Sequence, residues 1–329
     1  MSIKDIYGHE KQISVLQTAM ARNHIPHAYL FYGMEGIGKR TVAEVFAKAL
    51  NCRSGRESLD ACDTCASCLK IDHGNHPDVV TIKADGQFIR IKEIRELQEQ
   101  MKFKPVEGGK RIFIILDADK MNIVSANALL KTLEEPSASN ILILTTSRPH
   151  LLPMTILSRC QHLRFNPLRQ KTIASYLQEK LSMDPKASYL VSLSSGGSIG
   201  RAQALRDDSY LIMRDAILDI MSKIKAKDPL KLLSVANDFG QERQEIIEGL
   251  SILMSGYRDV LVYKETGDTD RVINQDHMDI IKSFAECISG QDILNSIKAL
   301  ERASHAINQN ANKQLTLETM MFKLSRYCE

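Results

Sequence analysis

The chain has 329 residues, 43 of them basic and 40 acidic, for a net charge of +3, and 43% of its residues are hydrophobic. That is material for roughly two or three domains, each burying its own core. A nearly balanced charge neither demands nor excludes nucleic acid, whereas the absence of tryptophan and an aromatic content of 5% exclude an interleaved stacking platform for single strands. No stretch reaches the roughly 18 apolar residues of a membrane span and no apolar leader follows a basic start, so the expected location is the cytoplasm.

Residues 9–22 place Ile13, Leu16, Ala19 and Met20 at helical spacing, and Pro26 closes that helix ahead of an apolar run, Ala28–Tyr32, which reads as a strand. The stretch Gly33–Thr41, GMEGIGKRT, follows it and leads into a helical pattern over Thr41–Leu50. Gly33, Gly36, Gly38 and Lys39 fit the opening positions of a P-loop, in which glycines let backbone N–H groups close around phosphates and the lysine reaches the outer ones. The next position departs from the pattern. A magnesium-binding hydroxyl belongs there, yet Arg40 occupies it and Thr41 comes one residue late. The loop reads as built for nucleotide and altered for hydrolysis; the bland alternative is a Gly-rich turn with a chance lysine.

The pattern changes at Asn51–Gly74, a polar insertion without hydrophobic period that needs its own source of stability. Cys52, Cys62, Cys65 and Cys68 lie in it, separated by nine, two and two residues. That spacing points to a tetrahedral four-thiolate zinc site, structural because four protein ligands leave no open position for water. A ferredoxin run would carry its fourth cysteine three residues further on, where this chain has Leu69–Asp72. His73 and His76 are spare ligands nearby or ordinary loop histidines.

Asp78–Lys83 then reads as a strand, and Ile91, Ile94, Leu97 and Met101 mark an amphipathic helix. The β-branched run Ile112–Leu116 has the character of a parallel strand buried on both faces. It delivers Asp117 to the place of a Walker B aspartate, which would hold magnesium, or simply ends a strand in aspartate. The following residue, where a hydrolase needs a carboxylate to orient water, is Ala118. Asp119 is not expected to substitute, because successive strand residues point to opposite faces. Ser125–Glu135 is helical, Ile141–Thr145 is the next strand, and strands alternating with helices imply a parallel sheet with right-handed crossovers. From about Leu168 the strands stop. A small helical domain interrupted by SSGGSIG precedes longer helical patterns, including Ile281–Ile288 and Ile293–Ile307, with a loop at Lys264–Asp276.

HAYLFYGMEGIGKR, the cysteine insertion, NALLKTLEEP at Asn127–Pro136, LTTSRP and TILSRC at Thr155–Cys160 together resemble the bacterial clamp-loader branch of the AAA+ family, and Asn308–Leu324 resembles the end of its collar domain. The resemblance implies an α/β AAA+ domain with a zinc module over 1–167 (insertion 51–74), a small helical lid over 168–206 and an all-α collar over 207–329. It also implies a non-hydrolysing stator beside gamma/tau motor subunits and a delta subunit, in a complex that places a sliding clamp on primed DNA. Arg159 of TILSRC would be an arginine finger acting in a neighbour's ATP site, Thr145 or Thr146 the sensor-1 residue, and Arg201 of GGSIGRA the sensor-2 arginine. Arg40 and Ala118 depart from the motor pattern, so ATP binding through Lys39 is expected to be weak or absent and hydrolysis lacking. A competent ATPase is the competing reading, and a zinc-stabilised DNA-binding protein a third.

Overall fold

In the computed structural model, the described residues are 1–54, 59–107, 109–206, 208–225, 239–240 and 242–327. Parts of two expectations lie outside them: 55–58 of the cysteine insertion, and 207, 226–238, 241 and 328–329 of the helical C-terminal region. The chain forms two compact units, Met1–Ala204 and Leu205–Glu329.

The first unit is built on a parallel five-stranded sheet of order β2-β3-β4-β1-β5. Its strands are β1 (Ala28–Tyr32), β2 (Val79–Ile82), β3 (Arg111–Ile115), β4 (Asn140–Thr146) and β5 (Gln161–Arg164). Helix α1 (Glu10–Ala21) precedes β1, and the chain passes between the strands through α2 (Lys39–Asn51), α3 (Ala66–Asp72), α4 (Ile91–Met101), α5 (Ile123–Glu134) and the short α6 (Met154–Leu157). Because strand side chains alternate, Ile112 and Ile114 of β3 join Leu16, Val42 and Phe46 on one face, while Phe113 and Ile115 join Ile94, Leu97 and Leu129 on the other. That is why the run carried no alternation in its sequence: both faces are covered by helices.

β5 was not expected. Only Leu163 of its four residues is buried, and it lies at the sheet edge beside β1. The insertion likewise contains a helix, α3, with Cys68 and Ile71 buried. Three helices complete the unit: α7 (Gln170–Leu181), α8 (Pro185–Ser194) and α9 (Ile199–Ala204). They sit on the P-loop through close backbone contact, the Gly200 N–H donating to Gly36 O at 2.8 Å and Ser198 Oγ donating to Glu35 O at 2.9 Å. A Cβ on Gly200 would meet Gly36 Cα at 2.8 Å, and one on Gly36, whose φ is +69°, would meet Ser198 Oγ at 2.6 Å. Glycine at both positions is what lets the two backbones touch.

The second unit is all helical among its described residues: α10 (Asp208–Lys225) and the helices Arg243–Thr266, Met278–Cys287, Gly290–Asn308 and Lys313–Arg326. Its interior holds a polar knot in which the buried Arg214 donates to both carboxylate oxygens of Asp276 and to Asn274 Oδ1, and Asn274 donates to the buried Asp259. Asp215, Asp276 and His277 converge there, but Arg214 already pairs with both carboxylates, so the cluster is an ion-pair network rather than a cation site. Among the described residues, no helix is long and apolar enough to cross a membrane.

Candidate functional site

The strands β1, β3 and β4 end at one side of the sheet, and the P-loop leaves β1 there. A cleft of about 450 Å³ opens at this edge, walled by Gly36–Thr41, the strand-end residues Leu116, Asp117, Thr145 and Ser147, the N-terminal residues Met1, Asp5–Tyr7 and His9, and Tyr176, Ile199, Gly200 and Gln203 from the three covering helices. Lys39 is buried and its Nζ donates to Gly33 O and Met34 O at 2.7 Å each, so the ammonium is turned onto the carbonyls of its own loop. Burial pushes its pKa down, and the Asp117 charge works against that. Arg40 points away: its Nε donates to Glu44 Oε1 at 2.7 Å and its side chain is 65% exposed. Thr41 lines the cleft beside it.

Asp117 follows β3 with φ +49°, stands half-exposed, pairs with Lys120 at 3.0 Å, and donates its backbone N–H to Thr145 Oγ1 at 3.2 Å. Ala118 is fully buried. Asp119 does not follow the strand alternation expected of it, since Ala118–Lys120 is a 3-10 turn. It is unavailable for a different reason: its carboxylate accepts from Thr146 Oγ1 at 2.6 Å and from Arg148 Nε at 2.9 Å. Those bonds also separate the two threonines, because Thr145 faces the cleft while Thr146 is spent on Asp119. Arg201 is exposed and not part of the cleft wall, although the nearby Gly200 and Gln203 are.

His9 is a cleft residue that sequence reasoning missed. Its Nε2 donates to Ile37 O at 2.8 Å, its ring meets Phe165 edge-on at 4.9 Å, and burial pushes its pKa down. A carbonyl can only accept, so Nε2 carries a proton. A lone histidine at the start of a helix gave no signal for this.

Arg159 lies away from the cleft, in the turn between α6 and β5. Its Nη1 donates to Thr155 O at 2.9 Å and its Nη2 pairs with Glu134 at 2.8 Å.

At the other end of α2 the thiol groups of Cys52, Cys62, Cys65 and Cys68 converge within 4.8 Å of one another, Cys62 and Cys68 being 4.0 Å apart. Tetrahedral zinc with thiolates at about 2.3 Å requires sulfur separations of about 3.8 Å, so the residues fit the ion. The backbone N–H groups of Cys62 and Cys65 donate to Cys52 Sγ and Cys62 Sγ at 3.4 and 3.3 Å, bonds that favour thiolate. The Thr64 hydroxyl and nearby backbone donors bring the Cys62 thiol down to about 5, whereas burial and neighbouring sulfurs push Cys68 up. Sulfurs this close cannot all ionise without a cation between them.

Neither spare histidine is a ligand. His76 is buried, accepts the Asp78 N–H on Nδ1 and donates from Nε2 to Ser67 Oγ at 3.0 Å, and His73 donates to Leu69 O. The knuckle is tied to α2 by Lys48, whose Nζ, 1% exposed as a residue, donates to Asp63 at 2.5 Å, to both oxygens of Asp72 at 2.8 and 2.7 Å, and to Met1 O at 2.9 Å.

A P-loop at the edge of a parallel sheet with this strand order, covered by three small helices and followed in the chain by a helical unit, has the architecture of an AAA+ protein. Family profiles agree: one described as DNA polymerase III, delta subunit, matches residues 8–169, and one for the C-terminal region of the delta subunit matches 212–326. DNA polymerase III subunit delta' of Bacillus subtilis is 31% identical over 95% of this chain and 94% of its own length. Subunit tau of the same organism is 27% identical over 98% of this chain, which spans 61% of tau. A solved gamma subunit-related protein of Thermotoga maritima covers 97% of this chain and 100% of its own at 17% identity and a TM-score of 0.44. The chain belongs to the delta-prime family of DNA polymerase III clamp-loader subunits.

Proposed function

We propose that this chain is the non-hydrolysing stator of a bacterial DNA polymerase III clamp loader, a cytoplasmic complex with gamma/tau motor subunits and a delta subunit. In it, 1–167 is the AAA+ domain, 168–206 the lid and 207–329 the collar through which the loader assembles; sliding clamp and primed DNA are met through the assembled complex. The observation that carries the reading is Ala118, fully buried where a water-orienting carboxylate is needed, with the adjacent Asp119 bonded to Thr146 and Arg148. Arg40, paired to Glu44, supplies no magnesium hydroxyl. Any nucleotide held by Gly33, Gly36, Gly38, Lys39, Thr41, Asp117 and Thr145, with Arg201 nearby, is bound without turnover. Arg159 has the chemistry of a finger acting in trans: a permanently charged planar fork that can neutralise charge developing on transferred phosphoryl oxygens. Zinc on the four thiols is structural.

The purified chain is expected to hydrolyse ATP at background rate, and Arg40→Ser alone to leave it there while Ala118 remains. Steady-state turnover by the motor-free protein at a motor subunit's rate would sink the stator assignment.

A further inference from the structure

We propose that Glu134 is a positioning residue for Arg159, holding the guanidinium in place for the neighbouring subunit's nucleotide; this rests on the trans-finger reading above. Glu134 is the last residue of α5, and Glu135 and Pro136 follow it. The carbonyl end of a helix carries partial negative charge, so a carboxylate there is disfavoured unless a cation meets it. Arg159 is the cation that Glu134 meets, at 2.8 Å, across the turn that joins α6 to β5.

The backbone beneath Arg159 is fixed. Its N–H donates to Ile156 O at 3.1 Å, Ile156 is fully buried, and Gln161, two residues on, is already paired with β1. What remains to be fixed is the long side chain itself, and Thr155 O and Glu134 do this by taking one terminal nitrogen each. Nε makes no hydrogen bond among the described residues, so the fork keeps donors to present to an incoming phosphate. Without Glu134 the guanidinium must be ordered at the moment of reaction, which raises the barrier at the site it serves. Both side chains are partly exposed, 36% for Arg159 and 49% for Glu134, and pairs of this kind are modest in strength. The expected effect is therefore about 2- to 5-fold in turnover.

The test is a double-mutant cycle in the reconstituted loader, reading ATPase stimulated by clamp and primed DNA, with assembly checked by gel filtration. Glu134→Gln should lower kcat about 2- to 5-fold without raising KM for ATP. Glu134→Asp should recover part of the loss, because it restores the charge. In the Arg159→Ala background Glu134→Gln should change nothing further, a result that a merely structural glutamate would not give. An equal drop in both backgrounds, no drop in the wild-type background, or a rise there would overturn the proposal while leaving the finger intact. If Arg159→Ala is itself without effect in an assembled loader, the finger reading fails and this proposal with it.

Discussion

One helix serves both chemical sites of the N-terminal unit, and its two ends stand in opposite conditions. At its start Lys39 sits in a P-loop lacking the magnesium hydroxyl and served by no free carboxylate after Asp117. At its end, next to Asn51, Cys52 joins three other thiols in a set that lacks nothing a zinc ion needs. The difference shows one helix shared between a P-loop whose nearby Asp119 is already bonded to Thr146 and Arg148 and a set of four converged thiols. The Gly200 contact on Gly36 and the buried Lys48 are structural parts of that unit, and neither requires catalysis.

The comparison breaks most visibly if the metal is removed. The purified chain should carry about one zinc, and structural zinc in small modules contributes on the order of 10–16 kcal/mol of apparent binding free energy. Chelation, or Cys65→Ser, should therefore unfold the knuckle, seen as loss of amide protection over 59–74. Protein prepared without chelator and found free of zinc by metal analysis would end this side of the comparison.

Arg159 tests the other side, since the proposed function has it serve a neighbour's site rather than this chain's own cleft. Fingers supplied in trans are worth roughly 10³–10⁵ in turnover at the site they serve. Arg159→Ala should preserve folding, zinc content and assembly yet depress clamp-stimulated ATPase and loading, and Arg159→Lys should rescue poorly because an ammonium lacks the fork. Near-normal loading with Arg159→Ala would reduce the residue to a solvated loop charge.

A smaller effect sharpens the link between the two ends. Burial alone would lower the Lys48 pKa, but the hydrogen bonds to Asp63 and Asp72 outweigh it and hold the ammonium charged. Asp63→Asn with Asp72→Asn should leave that charge buried with weaker acceptors, costing about 3 kcal/mol in urea unfolding at unchanged zinc content. Wild-type stability in the double variant would mean that knuckle and helix are merely adjacent.

Much of this was legible in the sequence because the signals were local. Strands β1, β3 and β4 announced themselves by β-branched and aromatic apolar runs, and the P-loop and cysteine spacings by residue type. β5 was hidden because Gln161, His162 and Arg164 are exposed at an edge and leave a single apolar residue to read. Helix α3 was hidden because the knuckle, not a hydrophobic stripe, supports it. Asp119 was expected to be unavailable, but the reason was misread because a 3-10 turn replaced the expected strand geometry, and Lys48, His9 and Glu134 were invisible because each acquires its partner only through the tertiary fold.

The bonds behind the cleft's N-terminal wall have a further consequence. The Ile3 N–H donates to Asp60 at 2.7 Å, the Met1 amino group pairs with Asp63 at 3.2 Å and Met1 O accepts from Lys48, so the segment contributing Met1, Asp5, Ile6 and Tyr7 to the cleft is stapled from behind by the cysteine insertion and the end of α2. The shape of the cleft is thereby underwritten by a cysteine cluster that never faces it. Oxidation of the thiols, a chemistry foreign to phosphate binding, would slacken one side of the cleft, and a protease able to trim the first residues would serve as a gauge of the redox state of four sulfurs.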